Sequence, residues 1–405
     1  MSIGGDYMNR EDFEMLNGDL IYFDNSATTF KPKSVINAIN DYYTKYTSNA
    51  HRGDYSISLK VDTLYEGVRD KVKDYIGASS NKEIVFTSGA TKSLNMIVFG
   101  YFKNFLNKGD EVLITKTEHA SNVLPWLELE DLLGIKVKYA SLDSDLRLSF
   151  DNLVSSIGPN TKVVSIAHVT NTIGDVRELE KIGAYLKEKG IYFVVDAAQS
   201  AGHRKIDDDK MNIDFLAFSG HKMMGPTGIG VLYGKEELLN KMTPTEFGGG
   251  MNNFFESDSS REYKSIPTKF EAGTQNIEGV IGLGAAIDYI NSIGLDKIES
   301  YEKELRNYLI NRLGEIDNVS VLNKNSDAGN VLFNIEGVFA QDTAIFLDHY
   351  NICVRAGNHC AKLLKDELGI KNTCRISLYL YNTKEEIDKL IDVLKNNKNI
   401  FDVVI

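Results

Sequence analysis

Two short runs of β-branched and aromatic residues, Ile191–Val195 and Phe215–Phe218, each lead directly into polar side chains. No other feature constrains the chain as much. Runs of about four to eight such residues read as buried strands. Asp196 and Gln199 follow the first run; Ser219, His221 and Lys222 follow the second. In open α/β sheets ligands collect beyond the carboxyl ends of strands, where all five residues fall. A carboxylate, an amide, a hydroxyl, an imidazole and an amine gathered there suit pyridoxal phosphate (PLP). The lysine would hold the cofactor as a Schiff base and the carboxylate would pair with its pyridinium nitrogen. Taken singly, Asp196 reads as a turn cap and Lys222 as a solvated surface lysine. Together, with Gly225, Gly228 and Gly230 clearing space behind the lysine, they read as a cofactor site.

Strands alternate with helical patterns around this stretch. Strands are expected at Ile21–Phe23, Glu83–Thr87, Asp110–Thr115 and Lys162–His168, and helices at Ser34–Tyr46, Ser58–Tyr75 and Glu178–Lys189. That order indicates an α/β fold with a mostly parallel, doubly wound sheet. Gly228–Tyr233 follows Lys222 too closely for a crossover helix and is expected to run antiparallel. Met251–Pro267 is polar and without periodicity, which predicts a surface loop. Helices at Ile277–Ile293 and Leu295–Leu313 come next. A smaller α+β unit follows, with strands at Asn330–Ile335, Ile352–Arg355 and Cys374–Tyr379 and helices at Gln341–Tyr350 and Lys384–Lys395. The expected division is an N-terminal extension (1–20), a large PLP-binding domain (21–290) and a small C-terminal domain (291–405). The segment 21–46 could pack with the small domain.

A formal charge of −12 argues against nucleic-acid binding, because phosphates repel such a surface. No stretch approaches the ~18 apolar residues of a membrane span, and the first residues lack an apolar signal region, so a cytoplasmic protein is expected. Three cysteines without CxxC spacing make neither a disulfide framework nor a structural zinc site, and no metal is expected.

Three further stretches gain meaning beside Lys222. Ser88–Ser93 joins a strand to a helix through small residues; upstream of such a lysine it reads as a phosphate cradle, with Gly89 and Ala90 giving backbone and Thr91 a hydroxyl. His119, past a strand end, would stack on the pyridine ring and move protons; alone it reads as a buried structural histidine. Asn171 is uncharged and could bond both the cofactor's phenolic oxygen and a substrate carboxylate; alone it is a turn asparagine.

Periodicity separates the cysteines. Cys353 lies inside an apolar strand run and is expected to be a small buried hydrophobe. On Cys374–Leu378, alternation puts Cys374 on the apolar face and Arg375 on the opposite, polar one. Cys360 alone lies in a loop, near Arg355, His359 and Lys362, whose charge would favour a thiolate. An ordinary loop cysteine remains the plain alternative.

Several motifs then carry a resemblance. DNSATT (24–29), EAGT (271–274), Arg355-x-Gly357-x-His359-Cys360-Ala361 and CRISLYLYNT with Arg375 follow one another in order around the Asp196 and Lys222 signatures. The chain resembles the class V aminotransferase family of fold-type I PLP enzymes from about Ile21 to about Leu394. Within it the chain is similar to the group II (SufS-like) cysteine desulfurases and selenocysteine lyases. The resemblance implies that Cys360 is the nucleophile, with Arg355 nearby on the substrate side, and that Arg375 clamps the substrate's α-carboxylate. It implies a homodimer in which Thr274 reaches the partner's cofactor phosphate and His51 and Arg52 reach the partner's site. The implied reaction takes L-cysteine to L-alanine, leaves a persulfide on Cys360 and supplies sulfur to an acceptor protein of Fe–S cluster assembly. Asn358 stands where many members carry histidine. Gln341, before Asp342, stands where members with zinc-holding acceptors tend to have histidine, which implies a thiol-bearing acceptor. Action on L-selenocysteine, transamination, and a non-catalytic PLP-binding scaffold are the alternatives.

Overall fold

The computed structural model describes residues 10–369, 372–395 and 400; the start of the expected N-terminal extension and the end of the expected small domain lie outside them. In chain order the first strands are β1 (Ile21–Tyr22), β2 (Ile84–Thr87), β3 (Glu111–Ile114), β4 (Lys136–Tyr139), β5 (Thr161–Ala167), β6 (Tyr192–Asp196), β7 (Phe215–Ser219) and β8 (Gly230–Gly234). Seven of them form one sheet in the order β2-β8-β7-β6-β5-β3-β4. β4, β3, β5, β6 and β7 are mutually parallel, and β8 is antiparallel to both β7 and β2. The short link after Lys222 permits no crossover, and the chain turns back as expected.

Both faces of this sheet are covered, so its central strands are apolar at every position rather than at alternate ones. Phe193, Val195, Leu216 and Phe218 pack into the core shared with the helices Ser56–Ile76 and Ile277–Ile293. Val194, Phe215 and Ala217 point the other way, against the helices Ala90–Met96 and Leu124–Leu133. β4, with its Lys136 and Lys138, forms an exposed edge, a composition that discourages pairing with another chain.

Two expectations need correction. Met251–Pro267 is at the surface but is not a loop: β9 (Asn252–Phe255) and β10 (Arg261–Tyr263) form an antiparallel hairpin closed by Glu256 N–H to the Ser260 carbonyl. Strands this short leave no periodicity to read. The expected single strand Ile352–Arg355 is also divided. After β11 (Val319–Val321) and β12 (Asn330–Ile335) come β13 (Ile352–Cys353) and β14 (Arg355–Gly357), on either side of Val354. β13 pairs in parallel with β1, whereas β14 joins an antiparallel sheet of order β11-β12-β15-β14 with β15 (Thr373–Ser377). A two-stranded pair shields little, so Cys353 is half-buried rather than enclosed.

On β15 the alternation holds. Cys374 and Ile376 enter the core beneath this sheet, and Arg375 faces the other way. β1 and the turn after it lie against this sheet: Ser377 N–H donates to Phe23 at 2.7 Å, and Asn25 Nδ2 donates to the Ser377 carbonyl at 2.7 Å. No helix among the described residues is long and apolar enough to cross a membrane.

Candidate active site

β6 and β7 end side by side, and each delivers its polar residues to one cavity of about 230 Å³. Asp196, the last residue of β6, and Gln199 line it, as do Ser219 at the end of β7 and His221 and Lys222 in the turn that follows. That turn is anchored from outside: the hydroxyls of Thr28 and Thr29 both donate to the His221 carbonyl at 3.1 Å. The glycine after it is required by space. A Cβ on Gly230 would lie 2.5 Å from the Phe218 carbonyl and would press on the Gly89 Cα. Without a side chain there, the Gly89 loop sits against β7, and Ala90 N–H donates to Ser219 Oγ at 2.8 Å. Ala90 and Thr91 thereby line the cavity, Thr91 Oγ1 lying 2.7 Å from Ser121 Oγ.

His119 enters from the loop after β3. Its neighbour Glu118, fully buried, receives Arg177 Nη1 at 2.5 Å, Asn122 Nδ2 at 2.9 Å and the Ala167 N–H at 2.8 Å, which ties the ends of β3 and β5 together. Burial first, then Lys222 and Arg355, push the His119 imidazole down to about 4, so it is neutral at pH 7. Its Nδ1 accepts the Ser121 N–H at 3.1 Å, which leaves the proton on Nε2. Burial likewise lowers the Lys222 amine to about 8, against the opposing pull of Asp196, and raises the Asp196 carboxyl to about 6.

The opposite wall comes from Asn171, in the turn after β5, and from the second sheet and its loops: Arg355, His359, Cys360 and Arg375. Cys360 is the exposed cysteine of the three; burial drives the Cys374 thiol up to about 12. His359 and Cys360 both adopt positive φ, 50° and 59°, a region costly for residues with a Cβ. Two donors hold the loop there: Asn171 Nδ2 to the His359 carbonyl at 2.6 Å and Ala120 N–H to the Cys360 carbonyl at 2.9 Å. The His359 ring is buried against Thr373 Oγ1 at 2.9 Å.

Buried polar atoms ordinarily have partners. On this wall three do not: Asn171 Oδ1, His359 Nδ1 and Arg375 Nε. The donor set fits PLP and an amino-acid carboxylate. Asp196 offers an anion for a ring nitrogen and Lys222 an amine for an aldehyde, and the hydroxyls of Thr91 and Ser219 and the Ala90 backbone, all lining the cavity, could take a phosphate. Arg375 offers a free N–H.

Three expected residues lie elsewhere in the single chain. Thr274 is 3.4 Å from Asn49 Nδ2 and lines a second cavity with Lys92 and Gly228. His51 Nε2 is 3.1 Å from Glu66, and Arg52 Nη2 donates to the carbonyls of Gly249 and Gly273. Gly89 stands behind the cavity wall. Sequence reasoning passed over Ser121 and Val169, which line the cavity, and the Glu118–Arg177 pair. Ser121 lay within the His119 segment and could have been read as a second hydroxyl there; nothing local links Glu118 to Arg177.

A parallel sheet with an aspartate and a lysine beyond adjacent strand ends, faced by a second sheet that carries an arginine, defines a family. The chain belongs to the aminotransferase class-V family, whose model matches residues 21–390. It is 45% identical over 390 residues to a probable cysteine desulfurase of Halalkalibacterium halodurans, covering 96% of each chain. A cysteine desulfurase of Haloferax volcanii is 38% identical over 402 residues, 98% of this chain and 94% of that one. Among solved structures, the cysteine desulfurase of Thermococcus onnurineus NA1 superposes with a TM-score of 0.92 at 40% identity, covering 98% of each chain.

Proposed function

We infer that this protein is a PLP-dependent cysteine desulfurase of the group II kind, which converts L-cysteine to L-alanine and leaves the sulfur on Cys360. The observation that carries the reading is that Cys360, exposed on its loop, shares one cavity with Lys222, Asp196 and Arg375. PLP bound beside Asp196 and Lys222 supplies a sink for the electron pair left when the substrate's Cα–H bond breaks. Lys222, His119, Asn171 and Gln199 would hold it, with Ser219, His221, Ala90 and Thr91 around its phosphate.

Arg375 pairs with the substrate carboxylate; Asn171 commits its Nδ2 to the His359 carbonyl, so its Oδ1 is left as an acceptor, suited to an N–H or O–H rather than to the carboxylate. Lys222, with its amine near 8, both accepts and returns a proton at neutral pH, as moving the Cα proton requires. His119, neutral at pH 7, carries its proton on Nε2 and can donate a hydrogen bond from it. Cys360 attacks the substrate sulfur as a thiolate: an S–S bond forms, the substrate's C–S bond breaks, and the carbon skeleton leaves as alanine after protonation.

Thr274, His51 and Arg52 lie outside the cavity of their own chain, which supports a homodimer whose copies complete each other's sites. We divide the chain into a large unit (21–290) and a small one (291–405), the opening segment of the first packing with the second through the β1–β13 pair. Cys360 is three residues past the end of β14, a tether too short to carry sulfur far at ~3.5 Å per residue, so an acceptor must come to it. Gln341, a poor metal ligand, favours a thiol-bearing acceptor, with Fe–S cluster assembly in the cytoplasm as the destination. Incubating the PLP-loaded protein with L-cysteine tests the reading. Without reductant, alanine is expected as a burst equal to the active sites, matched by persulfide on Cys360, and a reductant restarts turnover. Pyridoxamine phosphate formed without alanine would indicate a transaminase instead, and bound PLP with no alanine a scaffold.

A further inference from the structure

Arg375 does not stand free in the cavity wall. Its Nη2 donates to Asp24 Oδ1 at 2.8 Å and its Nη1 to the Asn171 carbonyl at 2.8 Å, while Nε has no partner. The guanidinium is 2% exposed and the Asp24 carboxylate lies behind it, outside the cavity lining. A planar fork held at two nitrogens cannot rotate, so its remaining N–H groups are aimed before any ligand arrives. Burial works against the charged guanidinium, and Asp24 opposes that effect.

The Asp24 side chain has Arg375 as its one hydrogen-bonding partner among the described residues. The turn that carries Asp24 is tied to β15 without it. Ser377 N–H donates to Phe23, Asn25 Nδ2 donates to the Ser377 carbonyl, Ser26 N–H donates to Ser377 Oγ at 2.9 Å, and Tyr22 Oη donates to the Thr28 carbonyl at 2.9 Å. Removing the carboxylate therefore frees the guanidinium and leaves the local backbone in place.

We propose that Asp24 is a positioning residue for the substrate carboxylate, acting through Arg375, and that it sets the preference for ligands that carry this carboxylate. The inference rests on the desulfurase reading above. It gives the aspartate of the DNSATT segment a task distinct from that of the threonines, which fix the His221 turn.

The test uses the PLP-loaded full chain with Asp24→Asn and Asp24→Ala. Asparagine keeps an oxygen for Nη2 but loses the charge; alanine loses both. KM for L-cysteine is expected to rise about threefold to tenfold in Asp24→Asn and further in Asp24→Ala, with kcat and PLP content within about twofold of the parent. Titration of the cofactor's absorbance should show weaker L-cysteine binding but unchanged binding of cysteamine, which lacks the carboxylate. Equal weakening for both ligands, or a fall in PLP content and thermal midpoint with KM unchanged, would make Asp24 a structural residue and overturn the proposal. So would an unchanged KM in both variants. If the parent protein itself forms no alanine from cysteine, the desulfurase reading fails instead; the two ligand titrations still measure Asp24's effect on carboxylate binding.

Discussion

The side-chain amide of Asn171 donates to the carbonyl of His359 at 2.6 Å, across 188 positions of sequence. Asn171 belongs to the turn after β5, and His359 directly precedes the exposed Cys360. A residue of the large sheet that lines the cavity thus grips the loop of the other sheet, and its remaining oxygen is buried without a partner. Asn171→Ala is expected to loosen the loop: Cys360 should react several-fold faster with a bulky thiol reagent, while L-cysteine turnover falls at least tenfold. Equal thiol reactivity in the two proteins would show that the bond does not restrain the loop.

Cofactor attachment gives the second expectation. Borohydride reduction of the yellow PLP-loaded protein should fix the cofactor on a single peptide containing Lys222. A label on Lys31 or any other lysine would remove Lys222 from its proposed role.

The cysteines should separate cleanly. Cys360→Ala is expected to keep PLP and its spectral response to L-cysteine but to form no persulfide. Cys374 is buried, with Sγ 3.1 Å from the Ala340 carbonyl, so Cys374→Ala should retain activity and lose about 1–2 kcal/mol of stability. Urea titration and persulfide labelling measure both, and the reverse pattern would exchange the assignments.

Acid should destabilise the cofactor-free protein through its buried histidines. Burial holds His119 and His221 at about 4 and His168 and His359 at about 3, all below the ordinary histidine value. Between about pH 6.5 and 4 the unfolded chain therefore binds more protons at these four rings, and their stabilisation, present above 6.5, is lost as pH falls through the folded values. Asp196 and Asp208, raised to about 6 and 7 chiefly by burial, act in the opposite sense over much of that range. From these six groups a net uptake of protons on unfolding near pH 5 is expected, so stability falls with falling pH there. Denaturation midpoints at pH 7, 6 and 5 should fall accordingly; a flat profile would contradict the burial of these rings.

Two glycines make a matched pair. Gly230→Ala drives a methyl into the Phe218 carbonyl and the Gly89 loop, and should cost about 1–3 kcal/mol or more together with PLP affinity. Gly67, inside the helix Ser56–Ile76, has open space where a Cβ would go, so Gly67→Ala should stabilise by about 0.5–1 kcal/mol. Thermal melts and PLP titration compare them.

What could be read from the sequence follows local physics. β6 and β7 announce themselves because both faces of the sheet are covered, so every residue from Phe193 to Val195 and from Phe215 to Phe218 is apolar. Cys360 stands out because alternation places Cys374 in a core. The β9–β10 hairpin stayed hidden because three or four residues cannot display a period. The break at Val354 stayed hidden because nothing in an apolar run says that its halves pair with different strands. Pairs such as Asp24 with Arg375, 351 positions apart, or Ala120 with Cys360, are created by the fold and have no local signature.

The pairing of β1 with β13 sets a schedule. Ile21 finds its hydrogen-bonding neighbour only once Ile352 exists, and Asn25 waits longer still for Ser377. During synthesis the strands from β2 to β8 can assemble first, while the opening segment, which later anchors the lysine turn through Thr28 and Thr29, remains unmatched. At ribosomal speeds that interval is on the order of tens of seconds. Until the end of the chain emerges, the cavity has Asp196 and Lys222 on one side but lacks Arg375 and Cys360 on the other. On the roles proposed above for Lys222 and Cys360, the order of synthesis leaves the unfinished molecule without its nucleophile.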